Sequence, residues 1–410
     1  MPQPARDVAL KDVAIKDVAI VGAGPIGLCL ALELAALDLS VTLIDAAPYT
    51  ALASPDDDGR EIALTHASRE QLAAAGIDIP ARQMAPIREA RLYNGASQRG
   101  MTLASARGEG HGREGQDSIG QLVANHVIRR AAFEAVQGVE HIELVTGRRV
   151  SALGAGPGWR SVLLDDQAQI PARLVVAADG RMSATRRLAG LSAQIHDTGQ
   201  RLLVRRMAHS RPHREVTWSW FSGERGLALL PLAGDTASLV MTLPPHDAEW
   251  LKALSSEAFA AEVTRLYQGS VGEMSCRGTL HDYPLSVSRA EHLVADRVAL
   301  VGDAAVGLHP VTAHGFNVGL ASVRRLVDAL RHHDKAVEDV GAPAQLAVYA
   351  RHHQRAILPL WHASRALVAL YGDTRPPARL VRHLALGAAR RAGPLQWLME
   401  GYLAKSSARR

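Results

Sequence analysis

The chain has 410 residues, 47% hydrophobic and 21% charged, a balance that allows a sizeable buried core and excludes compositional disorder. Its two cysteines, Cys29 and Cys276, exclude a disulfide scaffold and a zinc ribbon; with no apolar run of about 18 residues and no apolar leader, the expectation is a cytoplasmic chain, neither membrane-spanning nor exported. The net charge of +5 is uneven: residues 375–410 hold eight Lys or Arg against one acid, Glu400, which leaves −2 on residues 1–374.

The opening DVALK DVAIK DVAIV repeats every five residues, a period that fits neither strand nor helix. Residues 1–16 therefore read as an N-terminal extension and only the third copy as a strand, Val18 to Val21. That strand runs into VGAGPIGLCLALELAAL and SVTLIDA, which read as a glycine turn, an apolar helix and a second strand, together a βαβ unit. Two later runs, RLVVAADG and DRVALVGDAA, are apolar throughout, as central parallel strands are, and the second precedes a helical stretch from Phe316 to Leu330. Between them residues 195–285 alternate, as in VTWSWF and ASLVMTL, and predict an antiparallel sheet. From Pro343 the pattern is helical to Leu370, breaks at GDTRPPA, and resumes as a basic helical tail.

Gly22, Gly24 and Gly27 form G-x-G-x-x-G between a strand and a helix. The first glycine permits the tight turn, the second lets backbone approach a pyrophosphate, and the third lets helix and strand pack closely. The helix N-terminus then presents unpaired amides and its positive dipole end to the phosphates. Asp45 ends the second strand 23 residues after Gly22, placed for a ribose 2′-hydroxyl, and an acid there favours FAD or NAD over NADP. Gly154, Gly156 and Gly158 form a decoy: the sequence after them alternates, so a glycine-rich hairpin is expected and one dinucleotide site rather than two.

Four more segments follow in order: GREIALTHAS (59–68), IGQLVANHVIRRAAFEA (119–135), LVVAADGRMSATRRLAG (174–190) and RVALVGDAAVGLHPVTAHGFNVGL (297–320). With the βαβ unit they resemble the single-component FAD-dependent aromatic hydroxylases, the class A flavoprotein monooxygenases, and especially the ubiquinone-biosynthesis hydroxylase family, from about Asp17 to Ala404. The resemblance implies an α/β fold with a discontinuous Rossmann-like FAD-binding domain (17–73, 104–190 and 283–372), an inserted, mostly antiparallel β-sheet substrate domain (74–103 and 191–282) and a C-terminal helical segment ending in the basic tail (373–410). It implies FAD as cofactor, NAD(P)H or another electron donor, O2 as co-substrate, and hydroxylation of an electron-rich ring through a flavin C4a-hydroperoxide.

The resemblance also implies roles for individual residues. Arg60 would offer a guanidinium fork near the pyrophosphate or ribityl chain, the alternative being a surface arginine. Asn125, with Gln121 before it, would touch the FAD phosphates or serve as a helix cap. Asp179 would contact FAD and docked nicotinamide or simply form a turn with Gly180, and Gly302 and Asp303 would meet the ribityl hydroxyls. Pro310 would line the flavin ring, and the amides of Gly315, Phe316 and Asn317 would face the flavin N1 and O2 edge. His314 stands where the family often has Gln or Lys, and either tunes the flavin charge or faces solvent.

Rival readings remain at this level. Trp218 and Trp220 are similar to the W-x-W pair of flavin-dependent halogenases, but Ser222 replaces the isoleucine of that motif; both point to one face of a strand, to cover the flavin and touch substrate or to serve structure alone. The pairs His332 with His333 and His352 with His353 lack partners at metal-ligand spacing and read as solvated helix faces, so no metal site is expected. A small-phenol hydroxylase, a halogenase, a prenyl-lipid reductase and a non-enzymatic nucleotide-binding protein remain as alternatives to a prenylated quinol hydroxylase. In the tail Leu395, Leu398, Met399, Tyr402 and Leu403 recur at helical spacing after Arg379, Arg382, Arg390 and Arg391. This suits either peripheral contact with the inner face of an anionic membrane or packing on the body, and not nucleic acid.

Overall fold

The uninterrupted apolar run ending in Val21 forms β1 (Lys16–Val21), whose Val18, Ala19 and Ile20 are wholly buried. In the computed structural model, which describes residues 14–94, 101–104, 118–222, 224–310, 313–332 and 335–372, β1 lies inside a parallel array. It pairs with β2 (Val41–Asp45) on one side and with Gln169–Ala177 on the other; Ile142–Thr146 extends the array beyond β2 and Val298–Leu300 beyond Gln169–Ala177. The helix α1 (Pro25–Ala35) packs against Asn125–Val136 and Gly315–Leu330, burying the apolar faces that the parallel sheet needs covered. The decoy glycines lie in an antiparallel hairpin, Val150–Gly156 with Trp159–Leu164, where Gly158 takes φ +77° in the turn.

The second sheet follows the order Val306–Gly307, Met274–Ala290, Ala193–His209, Thr236–Leu243, Arg225–Pro231, Val216–Ser222, Glu89–Asn94, Met101–Ala104. All neighbours are antiparallel except Val216–Ser222 with Glu89–Asn94. Strict alternation divides its residues: Leu203, Met207, Leu239 and Met241 face the helices Pro245–Lys252 and Ser256–Leu266, while Leu202, Val204 and Val240 point the other way. The strand Met274–Ala290 pairs with Ala193–His209 along its length, with register shifts at Asp197/Gln200 and Val204/Arg206, so the second sheet continues beyond residue 282 as far as Ala290.

A small third sheet, Glu61–Leu64, Gly120–Ala124 and Met84–Ile87, lies between the other two. Leu64 and Val123 join the core of the first sheet, whereas Ala85, Ile87 and Leu122 pack on Leu230 and Leu232 of the second. The helix Pro343–Gly372 lies along Gly315–Leu330. Here one expectation is corrected: His353 does not face solvent but is wholly buried, its ring stacked on Tyr349 and its Nδ1 3.0 Å from the Arg325 guanidinium. A buried apolar setting holds its pKa down to about 3, chiefly through desolvation. His352 is exposed, His332 belongs to the short strand Arg331–His332, and His333 and the tail 373–410 lie outside the described residues. Among the described residues no helix is long and apolar enough to cross a membrane.

Candidate cofactor site

The carboxyl ends of four adjacent parallel strands meet at one edge of the first sheet, because the amides that leave one strand bond the last carbonyls of the next. Gly22 N–H donates to Ile44 O at 2.7 Å, Ala178 N–H to Val21 O at 2.7 Å and Val301 N–H to Ala177 O at 2.9 Å. The glycine turn, the Asp45 carboxylate, the Asp179–Gly180 turn and the Gly302–Asp303 turn thereby share one crevice, where ligands of such sheets collect. Each glycine of the first motif has its own physical reason. Gly22 has φ +111°, and a Cβ on Gly27 would lie 1.9 Å from Gly22 O, so neither position accepts a side chain. Nothing lies within 4 Å of where a Gly24 Cβ would sit, so the backbone before α1 is open to an incoming group.

Asp45 buttresses this turn. Its Oδ2 accepts from Ala23 N–H at 2.6 Å and its Oδ1 from Ala47 N–H at 2.7 Å, leaving acceptor capacity on each oxygen for a hydroxyl. Asp179 is engaged locally: Oδ1 accepts from the Ser183 hydroxyl and Oδ2 from Thr185 N–H at 3.0 Å, anchoring the helix Ala184–Leu188. Asp303 is about a third exposed and pairs through Oδ2 with Arg181 Nη2 at 3.0 Å. The preceding Gly302, at φ +60°, rests on Ile26, and so does Gly319, whose Cβ would lie 2.9 Å from Ile26 Cδ1. Ile26 thus locks α1, the Gly302–Asp303 turn and the helix Gly315–Leu330 into one unit.

At the start of that helix Gly315 is open, with nothing within 4 Å of a built Cβ; His314 is half-buried at the cap position, Phe316 packs against the first core, and Pro310 is exposed. Ala313 N–H donates to Pro310 O at 2.8 Å, and Ala313 takes φ +50° to turn the chain into the helix. The Asn317 side chain is buried and clamps helix to strand: its Nδ2 donates to Ala63 O at 2.8 Å and its Oδ1 accepts from Thr65 N–H at 3.1 Å. This clamp sets the strand Glu61–Leu64, which Arg60 precedes, against the open helix end.

Arg60 and Asn125, 65 positions apart, meet through a residue that the sequence did not single out. Asp58 Oδ2 takes Arg60 Nε at 2.9 Å, Arg60 Nη2 at 2.5 Å and Asn125 Nδ2 at 2.7 Å, while Asn125 N–H donates to Arg60 O at 2.9 Å. These donors hold the Asp58 carboxyl below its usual range against the opposing effect of burial. Gln121 lies on the same small sheet, and its buried Oε1 has no hydrogen-bond partner among the described residues. Arg206 of the second sheet reaches Glu61 at 2.8 Å and Asp57 at 2.8 Å, tying that sheet to the same loop. Burial, only partly offset by Arg206, raises the Glu61 pKa.

The tryptophan pair does not cover this crevice. Trp218 and Trp220 are 7% and 5% exposed and lie in the core between the second sheet and its helices, where Trp220 stacks on Tyr93 at 5.5 Å and meets Tyr267 edge-on at 5.1 Å. Alternation puts Thr217, Ser219 and Phe221, not the indoles, on the opposite face. Of the two roles expected for the pair, substrate contact and structure, its place in this core supports the structural one. Arg181 and His309 also escaped the sequence reading. Arg181 donates to Ser286 O, Leu308 O and Asp303, joining second sheet and crevice, and burial together with the Arg181 charge lowers the His309 pKa to about 4. The signal for Arg181 was present in its place beside the Asp179–Gly180 turn.

Open backbone at Gly24 and Gly315, an orphaned buried oxygen on Gln121, a third-exposed carboxylate at Asp303 and a guanidinium at Arg60 fit a dinucleotide that carries a diphosphate and a polyhydroxyl chain. A family model described as FAD binding domain matches residues 16–355. The chain is 38% identical over 384 residues to the ubiquinone hydroxylase UbiM of Neisseria meningitidis, covering 92% of this chain and 82% of that protein. It is 34% identical over 379 residues to the ubiquinone hydroxylase UbiL of Rhodospirillum rubrum, covering 92% of this chain and 87% of that protein. The crystal structure of pqsL, a probable FAD-dependent monooxygenase from Pseudomonas aeruginosa, superposes with a TM-score of 0.71 at 21% identity over 88% of this chain and 97% of that one, a likeness of fold.

Proposed function

The chain belongs to the FAD-binding domain family of aromatic hydroxylases, and from that premise we propose that it hydroxylates the ring of a prenylated quinol precursor in ubiquinone biosynthesis. It is an FAD-dependent monooxygenase that uses O2 and NAD(P)H or another electron donor. The observation that supports the substrate class most is the 38% identity to a ubiquinone hydroxylase over nearly the whole chain, second sheet included.

Bound FAD supplies the redox and oxygen chemistry, and the protein supplies binding, orientation and exclusion of water. The glycine turn and the end of α1 would receive the diphosphate on backbone amides, with Arg60, Gln121 and Asn125 on its other side and Asp45 on the adenosine ribose. Asp303 would accept ribityl hydroxyls through the oxygen that Arg181 leaves open. The amides of Gly315, Phe316 and Asn317, at the positive end of a 16-residue helix, would face the electron-rich edge of the ring and favour its reduced, anionic form, with Pro310 and His314 beside it. Asp179 would hold, through Ser183 and Thr185, the turn that carries Gly180 and Arg181 beside the FAD.

The substrate would lie between this crevice and the face of the second sheet that carries Ser219 and Phe221. The basic segment 375–410 would bring the enzyme to an anionic bilayer in which a polyprenyl tail resides. Two experiments test these readings. Deletion of the gene in its host should cause a quinone intermediate lacking one ring hydroxyl to accumulate; an unchanged quinone pool rejects the pathway. Co-sedimentation with anionic vesicles should weaken when Arg379, Arg382, Arg390 and Arg391 are changed to Gln, and equal sedimentation rejects the docking.

A further inference from the structure

The loop that carries Arg60 is held by its own aspartates, Asp57 Oδ1 accepting from Gly59 N–H at 3.0 Å and Asp58 Oδ1 from Arg60 N–H at 3.1 Å, and is braced from outside by the second sheet. Tyr283, on the strand Met274–Ala290, donates its hydroxyl to Asp58 O at 2.7 Å. The face of its ring lies under the Arg60 guanidinium, 5.8 Å from Cζ to the ring centroid. Two positions earlier on the same strand, His281 stacks in parallel with Tyr283 and fills the space beside Gly59, where a Cβ would come within 2.5 Å of its ring. Gly59, at φ +70°, is the only residue between Asp58 and Arg60, so both the turn and the close approach of the second sheet require a position without a side chain there. An exposed arginine otherwise loses considerable side-chain entropy when it is held for a ligand; here a carboxylate and an aromatic face hold it beforehand.

We propose that Tyr283 is a positioning residue for the cofactor: it acts through Arg60, so the clamp on the FAD diphosphate is completed by the substrate-side sheet and not by the FAD-binding sheet alone. This rests on the reading that Arg60 contacts the diphosphate. Tyr283 contributes in two separable ways, the hydroxyl by fixing the Asp58 carbonyl and hence the turn, the ring by restricting the guanidinium.

The test is titration of the full-length, FAD-stripped protein with FAD and, in parallel, with riboflavin, which has the ring and ribityl chain but no diphosphate. Tyr283→Phe, which keeps the ring, should weaken FAD about twofold, and Tyr283→Leu, which loses both contributions, about fivefold, in each case with riboflavin affinity unchanged. Arg60→Ala should weaken FAD at least as much, and the double variant Arg60→Ala with Tyr283→Leu should bind no more weakly than Arg60→Ala alone. If Arg60→Ala leaves FAD affinity intact, the underlying clamp reading fails. If Arg60→Ala weakens FAD but Tyr283→Leu does not, or if the two losses add, the positioning role alone fails. Equal loss of riboflavin binding in Tyr283→Phe would mean general damage to the fold and would also overturn it.

Discussion

The two large sheets use side chains in opposite ways. In the parallel sheet, strands are buried on both faces and chemistry gathers at their carboxyl ends, in short contiguous turns: Gly22 to Gly27, Asp179 to Gly180, Gly302 to Asp303. In the antiparallel sheet the two faces have different neighbours, helices on one side and the cofactor loop on the other, so consecutive residues such as Thr217 and Trp218 do unrelated work. A motif at a strand end can be assigned without knowing the rest of the fold, whereas a residue within an antiparallel strand acquires its role from the face that is covered.

The sharpest way to break this comparison is inside the glycine turn. Gly27→Val should abolish soluble folded protein, a loss beyond about 4 kcal/mol, because even its Cβ would lie 1.9 Å from Gly22 O. Gly24→Val should leave urea stability within about 0.5 kcal/mol and yet purify without flavin, since its side chain enters only the open space. Flavin retained in Gly24→Val would show that the open backbone is not the phosphate cradle. On the second sheet, Trp220→Ala should cost about 3 to 4 kcal/mol in chemical denaturation by emptying the core beside Tyr93 and Tyr267. A variant that folds with wild-type stability but an altered KM would return the indole to the substrate side.

Acid should expose a second contrast, between the sheets and the helices behind them. His353 and His309 are kept neutral in the fold, with pKa values of about 3 and about 4, whereas in the unfolded chain they titrate near 6.5. Above that value both states are uncharged and the histidines contribute nothing to pH dependence. Below it the unfolded chain takes up protons that the fold refuses, so stability falls as pH drops from about 6.5 towards 4, by about 2 kcal/mol per histidine at pH 5. Denaturant midpoints at pH 7 and pH 5 measure this; His353→Gln should show a shallower fall whatever its absolute stability, and an unchanged slope would count against the buried neutral form. The smallest effect expected is at Asn317→Ala, about 1 to 2 kcal/mol from the loss of its bonds to Ala63 O and Thr65 N–H. It should be accompanied by weaker flavin binding, because that clamp sets the helix end against the strand that follows Arg60.

The βαβ unit, the central strands, the long helix and the alternating sheet were all legible because their periodicities are local. So were the turns whose glycines must adopt positive φ or admit close backbone. Asp58 was not, since nothing about an acid in PDDDGR says that it bridges an arginine two residues away to an asparagine 67 positions distant. His353 read as solvated because one buried ring on a helix rich in His and Arg leaves no periodic trace.

By itself the amino-acid sequence determined the secondary elements, the dinucleotide turn and the family, all properties set by neighbours within a few residues or by the order of short motifs. Tertiary structure alone decided that the tryptophans pack rather than line the crevice, that Arg181 bridges Ser286 and Asp303, and that Arg60 rests on Tyr283. The reason is geometric: alternation tells which residues share a face, but only the packing of one sheet on another decides what that face meets.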